Sequence, residues 1–480
     1  SPPGNECNLG PGFEAFQTLK TATDEIAKIR NGYYTLFKKA KRDYGTIAIH
    51  DSIASRIVSL AQPMEFAAAD SFGHNMNVHV AMRILEERCG YQFTFVSDQQ
   101  IEKGVLSKYK LMLMPCSLVI GDKVGTKLKE FVENGGTLIA DVRPGILDGD
   151  GKWDTSQKVP SLFGLSFKKS MGREMVSSEL KGNLPSGTIS ILLEQELPVD
   201  PSLELKGAKP LCTLKGIPVV TINSCGNGKA VCLNIPFTYY KGRTMPDCLY
   251  GYKGDEGHNQ VIKAILELLL KESMIKRPVE VEPADGGVWP YGLDVSLHND
   301  GEAQYIGVSK ARESDSEIPR EICIRLKHPS YVYDMFGGKF LGGPIDVFKT
   351  TVRSSDVQLF AALPSKVKSL KGNLDSTSVS RGGTLSGTVK LELDGTKASR
   401  HVINLQVFRP DGKLVQYLTQ NLEAIASVGV LSLVGMGGGP RAEFKIPIAL
   451  NEPSGDWTLR FSDLASGEKS EVKFTVGKNE

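Results

Sequence analysis

The sequence carries almost no surplus of charge: 57 Lys and Arg stand against 55 Asp and Glu in 480 residues. With no net field to steer a polyanion, nucleic acid is excluded as an expected partner. Long apolar runs are missing as well. The stretch 264–270, itself interrupted by Glu267, has the length of a short helix and is flanked by Lys263, Lys271 and Glu272, so no membrane span is expected. Cysteine is sparse. Its eight residues, Cys7, Cys89, Cys116, Cys212, Cys225, Cys232, Cys248 and Cys323, show no paired C-x-x-C spacing, which argues against a disulfide framework and leaves the redox compartment open. Neither an initiator Met nor a charged-then-apolar leader opens SPPGNECNLG. The chain is therefore expected to be processed, truncated or excised, with a segment upstream of Ser1 lost.

What is present divides into regions. A chain of this length exceeds one ordinary core, so about three domains are expected. Over 12–41, Phe13, Phe16, Leu19, Ile26, Ile29, Tyr33, Leu36 and Phe37 recur at three- and four-residue steps, which places them on one face of a long helix. That face needs a partner, either a later part of this chain or a missing domain. From 45 to 277, apolar strands (GTIAIH, YQFTFV, YKLMLMP, GTLIADV) alternate with helices (NVHVAMRILEERC, VGTKLKEFVENG), the pattern of a parallel α/β sheet covered on both faces. Strand-like TISILL, IPVVTINS and KAVCLNIP follow, and the helix HNQVIKAILELLLKES closes the region. Beyond it, short strands alternate with turns such as HNDGE, FGGK, RPDGK and NEPSGD, which predicts two all-β sandwich domains, 278–364 and 365–480.

Ligands of open parallel sheets bind outside the carboxyl ends of the strands, so the turns there are the first place to look for chemistry. Cys116, in PCSLVIGD, lacks the flanking glycines and nearby His of a thiol elbow, and a structural role is favoured. His74 and His79 are five apart and do not share a helical face as zinc pairs do. Asp148, Asp150 and Asp154 in LDGDGKWD can converge carboxylates on calcium around a Gly turn, although the long bidentate acid is missing and a solvated Asp/Gly loop explains them as well. GMGGGP, 435–440, lacks the Lys and helix of a phosphate loop. Glu65, Asp70 and Asp141 lie near strand ends, but nothing pairs two of them as a glycosidase requires. A hydrolase around Asp51, Ser52 and His74 is the least favoured catalytic reading.

The run 109–142, YKLMLMPCSLVIGDKVGTKLKEFVENGGTLIADV, resembles the trimerisation domain of glycoside hydrolase family 42 β-galactosidases, and RPGILD, Trp153 and LFGL continue it in order. The resemblance implies a class I glutamine-amidotransferase-like fold for 45–277. It also likens the helix from residue 12 to the family's last barrel helix, so that 1–44 is a linker plus that helix. VYDMFGGKFLGGPIDVFKTTVRSSDVQLFAALP, 332–364, is similar to the C-terminal β domain of many glycoside hydrolases. HVINLQVFRPDGKLV and IPIALNEPSGDWTLRFSDLASG resemble an immunoglobulin-like module. The amidotransferase thiol would follow GTLIADV, where this sequence has Asp141, Val142 and Arg143, and the family's catalytic glutamates lie in a barrel with no counterpart here.

The resemblance implies a non-catalytic assembly and accessory region of a β-galactosidase-like protein. The expected partners are further copies of the chain, a separate or missing catalytic barrel, and carbohydrate. The alternative is a stand-alone extracellular carbohydrate- or protein-binding scaffold, for which the first helix should be buried within this chain. Trp153, Trp289 and Tyr291 are the candidates for sugar stacking or for an interface. No cofactor is expected apart from the calcium candidates, and export to the periplasm or medium is expected from the appended β modules.

Overall fold

The computed structural model describes residues 17–61, 73–169, 174–177, 179–184, 187–192, 196–237, 265–267, 269–271, 273–287, 292–310, 319–353, 357–395, 397, 399–425 and 439–477. The period over 12–41 predicts one helix; instead α1 (Gln17–Lys28) runs into a widened turn, Ile29–Tyr33, and then the short α2 (Tyr34–Phe37). Gly32 causes the break. Its φ is +123°, and a Cβ there would sit 2.5 Å from Leu464 Cδ1, so only glycine lets the chain turn so close to that side chain. The apolar face is divided accordingly: Leu36 is fully buried, with Tyr33 and Phe37 packed beside it, whereas Ile26 and Ile29 stay about half exposed.

After α2 the chain adds strand β1 (Lys41–Asp43) to the edge of Leu293–Asp300, far along the sequence. Arg400 clamps this junction, donating from Nη2 to Leu36 O at 2.6 Å and from Nε to Asp300 Oδ2 at 2.8 Å. Nearly buried charge-assisted bonds of this kind are costly to break. Arg400→Ala is therefore expected to destabilise the β half by about 2–3 kcal/mol and to open 30–43 to protease, read by denaturation and by the sites of limited trypsin cleavage. An unchanged cleavage pattern would dismiss the clamp.

The α/β unit contains β2 (Ile47–His50), α3 (Ile53–Ala61), α4 (Gly73–Arg83), β3 (Thr94–Val96), α5 (Asp98–Glu102), β4 (Leu111–Met114), α6 (Asp122–Glu133) and β5 (Thr137–Ala140). In space the order is β3-β2-β4-β5, all parallel, followed by parallel Gly228–Leu233 and then antiparallel Ile217–Cys225, Lys209–Leu214, Glu179–Leu184 and Gly187–Leu192. The unbroken apolar strands are explained by covering on both faces. Ile47, Ile49, Leu111 and Leu113 enter one core with Val80, Ile84 and Leu85, while Ala48, Met112 and Met114 enter another with Val124, Leu128 and Val132 of α6. Close packing of α6 rests on Gly228, where a Cβ would lie 2.1 Å from Val132 O.

A sandwich was expected for 278–364. Its strands hydrogen-bond in the order β1, Leu293–Asp300, Ala303–Lys310, Val357–Leu363, Arg320–Asp334, Glu280–Pro283, with Lys339–Val352 also on Arg320–Asp334. Two of them, Arg320–Asp334 and Lys339–Val352, are 15 and 14 residues long, with register shifts at 325–333. Such irregularities bend a strand without ending it, and the first half of Arg320–Asp334 pairs with Glu280–Pro283 while its second half pairs with Val357–Leu363, as in strands that pass between the layers of a sandwich. Residues 41–43, from the expected separate segment 1–44, join this ladder as β1. In 365–480 two sheets, one of three and one of five strands, face each other across a core with Trp457, Phe461 and Phe444. The same core takes in Tyr305, Tyr333 and Leu363 of the preceding sheet and Leu36. Part of the first β region, the second β region and the residues around α2 thus share one apolar interior, beside a separate core within 279–362. Over the described residues strands outnumber helices, in a multidomain chain whose α/β part is the unit matched most closely by the sequence pattern.

Candidate functional site

The sheet order reverses between β2 and β4, because the chain goes from β2 outwards to β3 and returns on the other side with β4. Strand ends diverge at such a switch point and leave the crevice where ligands of open sheets bind. Here the crevice is filled by the chain's own polar side chains. His50, the last residue of β2, reaches Ser117 Oγ from Nδ1 at 2.9 Å and Asp98 Oδ1 from Nε2 at 2.9 Å. Ser52 donates its hydroxyl to Asp98 Oδ2 at 3.1 Å. Ser55 and Val119 tie α3 to the loop after β4, with Val119 N donating to Ser55 Oγ at 3.1 Å.

His74 is fixed from both sides. Its Nε2 accepts from Ser52 N at 2.9 Å, so the proton resides on Nδ1, which donates to Pro115 O at 2.8 Å. Burial, and then His50, pushes its pKa down to about 4, so the ring is neutral with no lone pair to spare. Burial alone would raise the Asp98 carboxyl, but the hydrogen bond and Coulombic pull of His50, with the Ser52 hydroxyl, hold it below its usual value. The sequence reading placed Asp51, Ser52 and His74 together as a hydrolase. They are adjacent, but Ser52 Oγ bonds Asp98 and not an imidazole, and Ser52, His74 and Ser117 are all fully buried. A general base must reach the proton it takes. His74 cannot, and the nearest serine–histidine–aspartate set, Ser117, His50 and Asp98, keeps its hydroxyl out of contact with solvent.

Cys116 ends the turn after β4 in a left-handed conformation, φ +44°, which its sequence context without glycines does not foretell. The thiol is buried, and burial followed by the Asp141 charge raises its pKa well above the ordinary value. It is a thiol and not a nucleophilic thiolate. Asp141 instead serves the backbone, accepting from Cys116 N on Oδ1 and from Phe237 N on Oδ2 at 3.1 Å. At the turn where the resemblance would place a catalytic thiol stands Arg143, also left-handed at φ +47°. Its Nε donates to Asp200 Oδ2 at 2.7 Å, Nη2 to Ser202 Oγ at 2.9 Å and Nη1 to Lys168 O at 3.1 Å. A buried ion pair occupies this turn.

The remaining sequence candidates separate. Trp153 is half-buried against the α/β core, bridging to Leu147. Trp289 and Tyr291 lie outside the described residues, as do Glu65, Asp70 and most of GMGGGP. Asp148 and Asp154 border one cavity of about 780 Å³, also lined by Asp122, Lys129, Lys158 and Ser161. Their carboxylates are spent on the loop: Asp148 Oδ1 accepts from Asp150 N at 3.0 Å and Lys152 N at 2.9 Å, and Asp154 Oδ1 from Ser156 N at 2.9 Å. Asp150 points instead to Lys152. The three are not gathered as a calcium set, and among the described residues no group of three or more His, Cys, Asp or Glu is placed to hold a metal. No helix among them is long and apolar enough to cross a membrane.

One feature of this edge faces outward. On α3, Ala54, Ser55, Val58 and Ser59 turn inward, leaving Ile53, Ile57 and Leu60 on the opposite side, 64%, 59% and 56% exposed. Spacing of four and three residues puts them on one stripe.

Residues 92–241 match the family described as the β-galactosidase trimerisation domain. Among curated proteins, the chain is 22% identical over 247 residues to β-galactosidase Pbg of Clostridium perfringens, covering 46% of this chain and 30% of that one. It is 26% identical over 207 residues to β-galactosidase BgaB of a Geobacillus species, covering 41% and 27%. Solved structures of similar shape include the β-galactosidase of Bacillus circulans sp. alkalophilus (TM-score 0.48, 16% identity, 67% of this chain and 42% of that one). Another is the β-galactosidase of Halorubrum lacusprofundi (TM-score 0.45, 13% identity, 67% and 40%). The chain spans under a third of the length of these curated relatives. Residues 92–241 thus match the trimerisation domain of β-galactosidases, and the chain is similar over part of its length to glycoside hydrolase family 42 proteins.

Proposed function

We propose that this chain is a non-catalytic assembly and accessory region of a β-galactosidase-like glycoside hydrolase, in which the α/β unit, of glutamine-amidotransferase type, joins copies of the chain. The observation that carries this reading is the contrast at the carboxyl edge of the sheet. Polar groups that would do chemistry are bonded to one another, with His50, Ser52 and Ser117 fully buried and Asp98 half-buried, while the neighbouring helix α3 holds three large aliphatic side chains in solvent. Contiguous exposed apolar surface on a folded protein marks a contact site.

In this reading Ile53, Ile57 and Leu60 pack against another subunit, and the two β regions, the second of immunoglobulin type, extend the assembly and provide carbohydrate contact. The chain acts with a catalytic barrel and is exported. Sedimentation equilibrium at micromolar concentration should show an oligomer, and Ile57→Asp should shift it to monomer with an unchanged melting temperature. A wild-type chain that is monomeric and does not bind a separately produced barrel would sink the proposal.

The alternative, a stand-alone extracellular scaffold, is favoured by one observation, the burial of Leu36 inside this chain with Phe37 half-buried beside it. Against it, Ile26 and Ile29 on the other half of the same segment remain exposed.

A further inference from the structure

Tyr417 is the most exposed aromatic side chain among the described residues, at 68%. It lies in the short turn Gln416–Leu418, and its sequence neighbours dictate its direction. Val415 and Leu418 are both buried in the C-terminal core, so the backbone between them is pinned and the ring of Tyr417 is turned outwards. Its far end is held as firmly. The hydroxyl donates to Glu452 Oε1 and accepts from Arg409 Nη2 at 3.2 Å. Arg409 grips the same carboxylate with Nε to Oε2 at 2.9 Å and Nη2 to Oε1 at 3.1 Å. Glu452 is only 2% exposed. Burying a carboxylate costs free energy that this fork and the phenol offset, and what the arrangement secures is one orientation of an aromatic plane standing in water.

Other exposed rings differ in kind. Tyr44 is covered by the Arg42 guanidinium at 5.0 Å, Phe340 by the Lys366 ammonium at 4.8 Å, and Phe336 by Lys28 at 5.7 Å with Tyr33 against its edge. Phe95 stacks on Phe93 at 5.4 Å. Tyr34 is bare, but nothing anchors its hydroxyl among the described residues. Tyr417 alone in this group combines an uncovered face with a fixed hydroxyl, and among the described residues Arg409 Nη1 beside it has no protein partner.

We propose that Tyr417, with Arg409 at its edge, is a binding platform for a hexopyranose unit of a polysaccharide. One face of a pyranose ring presents C–H groups that pack on an aromatic plane, while its equatorial hydroxyl oxygens accept hydrogen bonds at the rim, here from Arg409 Nη1. A ring already immobilised gives up little conformational freedom on binding, so the modest gain from one stacking contact is retained. A proline-rich peptide is a poorer fit. It docks in a groove between aromatic ridges, and a single ring on a turn offers none.

Choosing galactan as the probe rests on the β-galactosidase-like reading; the platform itself does not. Native gels containing soluble β-1,4-galactan should retard the full chain, and Tyr417→Ala should weaken that retardation about three- to tenfold, the loss expected for a stacked ring. Tyr417→Phe, which keeps the plane and loses its anchor, should fall between. Both variants should stay folded at the assay temperature, losing about 1–2 kcal/mol with the phenol's bond to Glu452 while the Arg409 fork still holds that carboxylate; circular dichroism of each variant checks this. Wild type running unretarded in galactan, or Tyr417→Ala binding as tightly as wild type, overturns the platform. Sedimentation of the same samples separates the two readings: an oligomer that ignores galactan removes the platform alone, and a retarded monomer removes the assembly role alone.

Discussion

Arg143→Ala should lower the stability of the α/β unit by about 3–5 kcal/mol, the usual cost of leaving one member of a fully buried ion pair without the other. Arg143 and Asp200 are both inaccessible, and the guanidinium also serves Ser202 and the Lys168 carbonyl. Removing it strands the Asp200 carboxylate, whose other oxygen is held by Ser202 N at 2.8 Å and cannot rotate out to water. The informative control is the double replacement Arg143→Met with Asp200→Leu. Exchanging both charges for apolar groups of similar volume is often neutral or stabilising, so most of the single-variant loss should return. Urea midpoints of the three proteins would decide. A single-variant cost below about 1 kcal/mol would mean that the pair is reached by water.

The second large effect is a pH dependence centred on Asp141. Burial pushes this carboxyl up to about 7, with the Cys116 and Phe237 backbone N–H groups opposing the shift; its ordinary value is 3.8. As pH rises between these values the unfolded chain gives up the proton first, so the stability present below 3.8 is lost by 7. At ~1.4 kcal/mol per pH unit the loss is about 4 kcal/mol. His74 opposes it over part of the window. Its pKa is lowered from 6.5 to about 4, so the unfolded chain binds the extra proton and stability rises with pH there. The wild-type profile therefore conceals both effects, and the difference between wild type and Asp141→Asn exposes them. That difference should fall steadily from pH 4 to 7, leaving the variant with the rising His74 profile. Parallel profiles would show that Asp141 stays ionised throughout.

The readings that survived were those tied to local pattern. Strands β2, β4 and β5 were visible as unbroken apolar runs, and α6 as a repeat of Val124, Leu128, Phe131 and Val132, because being buried on both faces or on one stripe constrains every residue of the element. The turn LDGDGKWD was also visible, although its aspartates proved to cap their own backbone. Misread features had distant causes. The helix over 12–41 broke at Gly32 because Leu464 lies there, and β1 joined a sheet some 250 residues further along the chain.

The candidate site shows the same division. His50, Ser52 and Asp98 follow strands recognisable from the residues alone, so their position at the carboxyl edge of a parallel sheet was already implied. Whether they form an open site or a plug was not. That depended on Ser117 and His74 arriving from other segments to occupy each donor and acceptor, and on nothing periodic in the chain. Arg143 with Asp200, and Tyr417 with Glu452 and Arg409, are likewise pairs without a sequence spacing. Periodicity records which side of an element is dry, so the amino-acid order alone established the α/β sheet, its covered faces and the β-rich remainder. Hydrogen bonds and ion pairs act over about 3 Å between residues the chain brings from anywhere, so tertiary packing alone settled that the crevice is closed, that α3 faces solvent and that one tyrosine is held outwards.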